Sequence, residues 1–490
     1  MSPQSIDGWV VLTIVAYGLS LWAILHLLRQ RKQPMATLSW ILGILLLPAL
    51  GLLLYFLIGE NRVRRRLRRI RKREAYIVRA LQAAGAREDR TGSRFRSRSE
   101  TPHALLDGDL EALAQITTKL SQYPLTMGNK VEAYATPQRI YDEILSAIDS
   151  ALDHVHLEYY IFRPDGTGKL FVERLSAKAR QGVEVRVLLD GVGAWSTSRR
   201  FLRPLLQAGG KVEWFLPAIP LRRHWHINCR NHRKIVVVDG EVAFTGSQNI
   251  GDEYRGRVSK WAGWKDTQLR VEGPAAQHLQ DVFVEDWYFA SGEDLTSKRY
   301  LKGVPSRGDS LVQIVPSGPD QDRDVLAQIY FSAFNSAKQS IRISTPYFVP
   351  EPGILLALQN AAYRGVAVEI LIPSKTDAPL VLWAGRSYYQ DLLEAGVAVY
   401  EFDDGFLHSK TITIDGRWSL VGSANMDVRS FFLNFEATAT VFDPGIAKDL
   451  DNDFVKYRSR SRAIRRYKNA QGPFLPSVIE GAARILSPLL

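Results

Sequence analysis

One motif, written twice, constrains this 490-residue chain more than any other feature. Residues 232–249 read HRKIVVVDGEVAFTGSQN, and residues 408–425 read HSKTITIDGRWSLVGSAN. His, Lys, Asp, Gly, Ser and Asn fall at identical offsets, 176 residues apart. The likeness extends upstream. SAIDSALDHVHLEYYIFRP (146–164) pairs with SAFNSAKQSIRISTPYFVP (332–350), and LLQAGGKVEWF (205–215) with LLEAGVAVYEF (392–402). A repeat of this length is too long for a solenoid. It predicts two similar lobes related by a pseudo-twofold axis, each lending one motif to a shared site.

Each half reads helix, strand, helix, short apolar strand, helix, strand, then the motif. Runs such as VEVRVLL and VAVEILI suit interior strands, and their alternation with helices predicts an α/β fold with mixed β-sheets flanked by helices. The first lobe is expected over 104–300 and the second over 301–490.

Within each motif, alternation and β-branching predict a strand, and Asp-Gly predicts a two-residue hairpin turn. Residues i and i+2 share a strand face, so His232 and Lys234 point together, as do His408 and Lys410. Turns centred on Asp239-Gly240 and Asp415-Gly416 place Ser247 opposite His232 and Ser423 opposite His408. An ammonium beside an imidazole repels a cation, so no metal is expected there. The pair suits an anion instead. Lys234 and Lys410 supply point charges, and Ser247, Asn249, Ser423 and Asn425 supply neutral donors. Two converging copies would surround one phosphoryl group. One imidazole then attacks phosphorus and the other moves the proton. The pseudo-symmetry leaves open which does which. Asp266 (GWKDTQLRVEG) and Glu436 (LNFEATATV), each on the strand after a motif, are candidate carboxylates to orient the histidines.

Charge is distributed unevenly. The net +12 is concentrated in residues 62–73, RVRRRLRRIRKR, whereas 101–490 sum to zero. A duplex-binding protein spreads basic charge over its reading face, so no nucleic-acid partner is expected. Cys229 is the only cysteine, which excludes disulfides and a cysteine-based zinc site. Residues 8–28 and 38–58 contain no Asp, Glu, Lys or Arg. Each has about the length that crosses a bilayer core, so 1–60 reads as a transmembrane helical hairpin, although Pro48 also permits a broken, buried helix. The basic juxtamembrane segment and linker occupy 61–103. The larger basic cluster assigns the body to the cytoplasmic side and suits anionic lipid headgroups. The C-terminal FLPSVIEGAARILSPLL reads as an amphipathic helix that packs on the body or touches membrane. Nothing in the sequence specifies an oligomeric state.

The doubled H-x-K-x4-D motif with its following G-S-x-N resembles the phospholipase D superfamily. HRKIVVVDG…NIGDEY, WKDTQLRVEGP, GFLHSKTITIDG, GSANMDVRSFFLNFE and the N-terminal LIGENR resemble bacterial cardiolipin synthases over nearly the whole chain. The resemblance implies a multi-pass enzyme of the bacterial inner membrane. It would join two phosphatidylglycerol molecules into cardiolipin and glycerol without a cofactor. It assigns His232 as nucleophile and His408 as general acid/base, and Lys234, Lys410, Asn249 and Asn425 as phosphate ligands. Asp266 and Glu436 become the histidine-orienting acids. Asp239 and Asp415 belong to the catalytic motif with a more structural part. The stretches 214–226, including Trp225, and 379–389 are expected to border the site and meet the bilayer. Competing readings are a hydrolase or transferase acting on another phospholipid, and a non-catalytic scaffold that binds anionic lipid.

Overall fold

The computed structural model describes residues 8–29, 34–55, 105–217, 228–256, 263–297, 299–321, 324–465 and 474–486. The basic run 62–73, the whole linker to 103 and Trp225 fall outside these residues. Two compact units emerge, 1–66 and 67–490.

In the N-terminal unit the first uncharged stretch is one helix, Gly8–Arg29. The second is not. It splits into helices Pro34–Leu46 and Pro48–Leu54, because proline lacks the N–H that a continuous helix requires. The break folds the second piece back so tightly that a side chain at Gly51 would meet the Gly43 carbonyl oxygen at 2.5 Å. Ala23, Leu27, Ile44, Leu52 and Tyr55 form the small core. Many leucines stay exposed, Leu46 at 76% and Leu28 at 61%. Among the described residues, no helix is long and apolar enough to cross a membrane.

The body is built on one mixed sheet of sixteen strands among the described residues. In chain order these are β1 (Thr126–Tyr134), β2 (His154–Tyr159), β3 (Glu184–Asp190), β4 (Lys211–Phe215), β5 (Arg230–Asn231), β6 (Lys234–Val238), β7 (Val242–Gly246), β8 (Gln268–Glu272), β9 (Ser310–Ser317), β10 (Ser340–Ser344), β11 (Ala367–Pro373), β12 (Ala398–Phe402), β13 (Thr411–Ile414), β14 (Trp418–Gly422), β15 (Asn434–Phe442) and β16 (Ser461–Ile464). The spatial order is β16-β12-β11-β10-β13-β14-β15-β9-β1-β8-β7-β6-β2-β3-β4, with β5 beside β15. Apart from β16 the order is a palindrome about β9 and β1. The expected internal symmetry is therefore present, but the halves share one sheet instead of having separate ones.

Packing explains the join. Two core clusters each belong chiefly to one half, under Phe171 and Leu175 in the first and Phe334 and Leu358 in the second. A third is built by both halves. Ile235, Val271 and Leu279 meet Val312, Val441 and Leu450 in it. Helices Pro274–Ser291 and Pro444–Arg458 cover this shared face with Leu279 and Leu450. Burying a side chain of that size contributes about 1.5–3 kcal/mol, so separating the halves would expose a costly apolar seam.

The hairpins differ from the expected register by one residue. Val238 pairs with Val242, and Ile414 with Trp418. Asp239 and Gly240 do form the turn, with φ of 54° and 70°, and Glu241 N–H closes it on the Val238 carbonyl at 3.0 Å. Glu241 is then an extra residue before pairing resumes, as is Arg417 in the second hairpin. The serines are thus displaced by one position from the histidines they were expected to face.

The C-terminal segment forms helix Phe474–Leu486. It packs on the body, with Ala483 in the second-half core and Arg484 over the Tyr388 ring at 4.5 Å.

Candidate active site

Both histidines line one cavity of about 450 Å³, with Asn249 and Asn425. Tyr160, Arg163, Arg230, Trp264, Tyr347, Asp377, Asp427 and Arg429 complete much of the wall. Ala378 and Val381 place the edge of the 379–389 stretch at the cavity, as expected.

The backbone brings the histidines there by an exchange between halves. β5, just before His232, pairs in parallel with the start of β15. His232 N–H donates to the Phe435 carbonyl at 2.8 Å. Likewise Lys265 bridges Leu407 in parallel, and His408 N–H donates to the Lys265 carbonyl at 2.7 Å. Each histidine is therefore delivered to the carboxylate of the other half. His232 Nδ1 lies 2.9 Å from Glu436 Oε2, and His408 Nδ1 lies 2.8 Å from Asp266 Oδ1. The sequence identifies both acids but not this crossing, which requires the three-dimensional join. An ionised carboxylate only accepts, so Nδ1 carries the proton in each ring and Nε2 keeps its lone pair.

Further donors hold the acids. Ser423 Oγ donates to Glu436 at 2.5 Å and Ser430 Oγ at 2.8 Å. On Asp266 the donors are Ser247 Oγ and the Trp264 indole N–H, the latter at 2.6 Å. Ser247 and Ser423 are thus committed to carboxylates and lie behind the cavity lining. They do not present a free hydroxyl to a phosphate, as had been expected of them. Ser430 and Trp264 were not singled out from the sequence. Trp264 stands two residues before its acid, and Asn434, 3.4 Å from Glu436, stands at the same offset from the other. That offset was the available signal.

Lys234 and Lys410 are buried behind the histidines. Each ammonium donates to the carbonyl of its own motif histidine, at 2.6 and 2.8 Å. Asn249 Oδ1 accepts from Ile161 N–H at 3.3 Å, leaving its NH2 as the donating end. Asp239 and Asp415 are not in the site. They sit at the far hairpin tips with φ of 54°, a backbone region aspartate tolerates. Asp239 accepts from the N–H groups of Leu152, Asp153 and His154, and Asp415 from those of Lys338, Gln339 and Ser340. Their place in the motif is explained by tying each hairpin to the preceding helix–strand turn, not by chemistry.

Burial sets the electrostatics. It lowers His232 to about 4, against the opposing pull of Glu436 and with help from Lys234. Burial and then Lys410 lower His408 as well. Burial brings Lys410 down to about 8 and pushes Lys234 well below the usual lysine range. Glu436 goes the other way. Burial opposes its charge, but His232, Lys234 and the Ser423 hydrogen bond outweigh that and hold it at about 2. The result is two neutral imidazoles beside two ionised acids. An anion in the cavity would compensate the charges that burial penalises and raise both imidazoles and both amines.

The chain is similar to known proteins. A family model described as cardiolipin synthase, PLD-like domain, matches residues 144–287 and 330–458. A second, described as phospholipase D-nuclease N-terminal, matches 18–60. The chain is 38% identical to a cardiolipin synthase of Alkalihalophilus pseudofirmus, over 99% of this chain and 95% of that one. It is 36% identical to the major cardiolipin synthase ClsA of Bacillus subtilis, over 96% and 97%. Among solved structures, the phosphatidylserine synthase of Haemophilus influenzae Rd KW20 aligns with a TM-score of 0.58 at 15% identity, over 77% of this chain and all of that one. That alignment shows likeness of fold.

Proposed function

The chain belongs to the cardiolipin synthase family with phospholipase D-like domains, and from that premise we propose how its site makes cardiolipin from two phosphatidylglycerol molecules. The observation that carries the mechanism is the crossed pairing of His232 with Glu436 and of His408 with Asp266 around one cavity.

His232 Nε2 attacks the phosphorus of one phosphatidylglycerol. Glu436 accepts the Nδ1–H bond and stabilises the positive ring as the bond forms. His408, protonated once the anion is bound, gives its proton to the departing glycerol oxygen. A phosphatidyl-histidine remains. The headgroup hydroxyl of a second phosphatidylglycerol then loses its proton to His408 and attacks phosphorus, releasing His232. The phosphorus–nitrogen bond retains the energy of the broken ester, so the scheme calls for neither nucleotide nor metal. Each lysine uses one of its three donors on a carbonyl, which leaves two for phosphate oxygens. With the NH2 groups of Asn249 and Asn425 they stabilise charge on the equatorial oxygens. Which histidine attacks rests on the family resemblance.

The N-terminal unit serves as the membrane attachment in this reading, with the body on the cytoplasmic side. Two 21-residue stretches without charge, exposed leucines and the N-terminal family match support it. The basic run 62–73 meets anionic headgroups. The two motif-bearing halves, 104–300 and 301–490, act as one catalytic unit.

The test offers purified protein only phosphatidylglycerol in mixed micelles. Cardiolipin with equimolar glycerol is expected. Phosphatidate with glycerol would make water the acceptor and overturn the transferase reading.

A further inference from the structure

The two lipids in this reaction pose a problem that the motifs leave open. The acceptor is also a phosphodiester. Its own phosphate stays intact, one three-carbon bridge from the hydroxyl that reacts. While the motif residues hold the reacting phosphorus, a second anion must sit in the same cavity.

Three arginines line that cavity, and two are already matched. Arg163 pairs with Glu253 at 3.0 Å, and Arg230 with Asp190 at 3.4 Å. Arg429 differs. Its two terminal nitrogens donate to Asn228, at 3.2 Å to Oδ1 and 2.8 Å to the carbonyl. Among the described residues no carboxylate lies within ion-pair distance of it. Asp427, two residues earlier on the same wall, accepts instead from Ser430 N–H at 2.8 Å. Asp427 and Arg429 still feel each other's charge, but no direct ion pair occupies the guanidinium fork, whose geometry matches a phosphate. Arg429 is not one of the motif residues at matched offsets. Its counterpart at the same offset from the first motif is Glu253, so this cation occurs once in a doubled site. A single second-phosphate seat is what one donor and one acceptor require.

We infer that Arg429 binds the phosphate of the acceptor phosphatidylglycerol and so selects an anionic lipid, rather than water or a neutral alcohol, to complete the transfer. This rests on the transferase reading above.

The test uses the full chain in micelles and compares two acceptors on one enzyme. Cardiolipin formation from phosphatidylglycerol needs an anionic acceptor. Exchange of labelled free glycerol into phosphatidylglycerol uses the same donor and the same intermediate with a neutral acceptor. For Arg429→Gln, the ratio of cardiolipin formation to glycerol exchange should fall about tenfold or more, the scale of a charge-assisted hydrogen bond. Arg429→Lys should restore part of it. Glycerol exchange also reports that the variant is folded. An equal fall in both reactions would assign Arg429 to the reacting phosphate or to the fold, and no change in either reaction would assign it no part in acceptor choice. Either result overturns the proposal. If the unmodified protein forms no cardiolipin, the transferase reading itself fails, whatever Arg429 does.

Discussion

The two histidines face the cavity alike but rest on different foundations. Around His232 the chain buries charge. Arg230 pairs with Asp190, Asn231 donates to Glu158 at 2.5 Å, and the fully buried Arg233 pairs with Asp286. Burial and then Asp286 push the Glu158 carboxyl well above the usual range, with Arg233 pulling the other way. At the same offsets around His408 stand Phe406, Leu407 and Ser409, where the Thr267 hydroxyl donates to Ser409 Oγ at 3.1 Å. Trp264 and Phe406 rings flank His408, at 5.1 and 6.0 Å between centroids. His232 has Tyr160 at 4.9 Å. The doubled motif is thus kept where it lines the cavity and abandoned one layer behind. A polar network fixes direction through hydrogen bonds, whereas an apolar layer fixes it through shape.

The largest effect should separate the roles of the two histidines. His232→Ala should reduce transfer by about 10⁴-fold or more. His408→Ala should cost about 10²–10⁴-fold and leave phosphatidyl groups on His232, visible by mass spectrometry of the trapped protein. Phosphatidyl label on His408 in the converse variant would reverse the assignment. Next come the acids. Glu436→Gln and Asp266→Asn should each slow transfer by about 10²-fold or more, since each fixes a tautomer. The crossing is tested by double-mutant cycles. His232 should couple to Glu436 by about 0.5–3 kcal/mol and to Asp266 hardly at all. Coupling within each half would refute the exchange.

Smaller effects probe the foundations. Arg233→Ala leaves Asp286 and Glu158 buried without their cation and should destabilise the body by about 3–5 kcal/mol in denaturant unfolding. Ser409→Ala, at the matching offset, should cost about 1 kcal/mol. Equal losses would erase the contrast between the halves. The last effect is a slope. Folding lowers His232 to about 4 from its ordinary 6.5. Between those values the unfolded chain binds a proton that the folded chain does not, so stability rises with pH across the window and is lost as pH falls toward 4. Glu436, held at about 2, adds loss of the same sign below pH 4.5. His232→Asn should flatten the stability curve between pH 4 and 6.5 by about one proton.

The sequence made the chemistry legible because identical offsets exposed His232, Lys234, His408 and Lys410, and an acid stands in the segment that follows each motif. It also exposed the order of helices and strands, through apolar runs and turn residues. It did not expose the joining of two sheets. β1 and β9 carry no motif, and β1 includes Gly128 with φ of 84° beside a register shift. Nor did it expose the added residue after each Asp-Gly turn, which no local pattern distinguishes from an ordinary strand position. Asp239 was expected to have a more structural part within the catalytic motif, and its three backbone partners supply that part. Pro48 was noticed, but its power to divide the second apolar stretch depended on the close approach that Gly51 permits.

The exchange of carboxylates makes the chain behave as a dimer that cannot dissociate. Were the halves two molecules, the site would assemble by mass action, and dilution would leave each histidine without its acid. Joined through one sheet, they meet at an effective concentration that no dilution changes. Activity per molecule should then be independent of how sparsely the protein is scattered over a membrane. Identical separate halves could not reproduce this site, because two copies of the first would set Asp266 against both histidines and supply no Arg429. Within one chain the two sides of the site are free to differ.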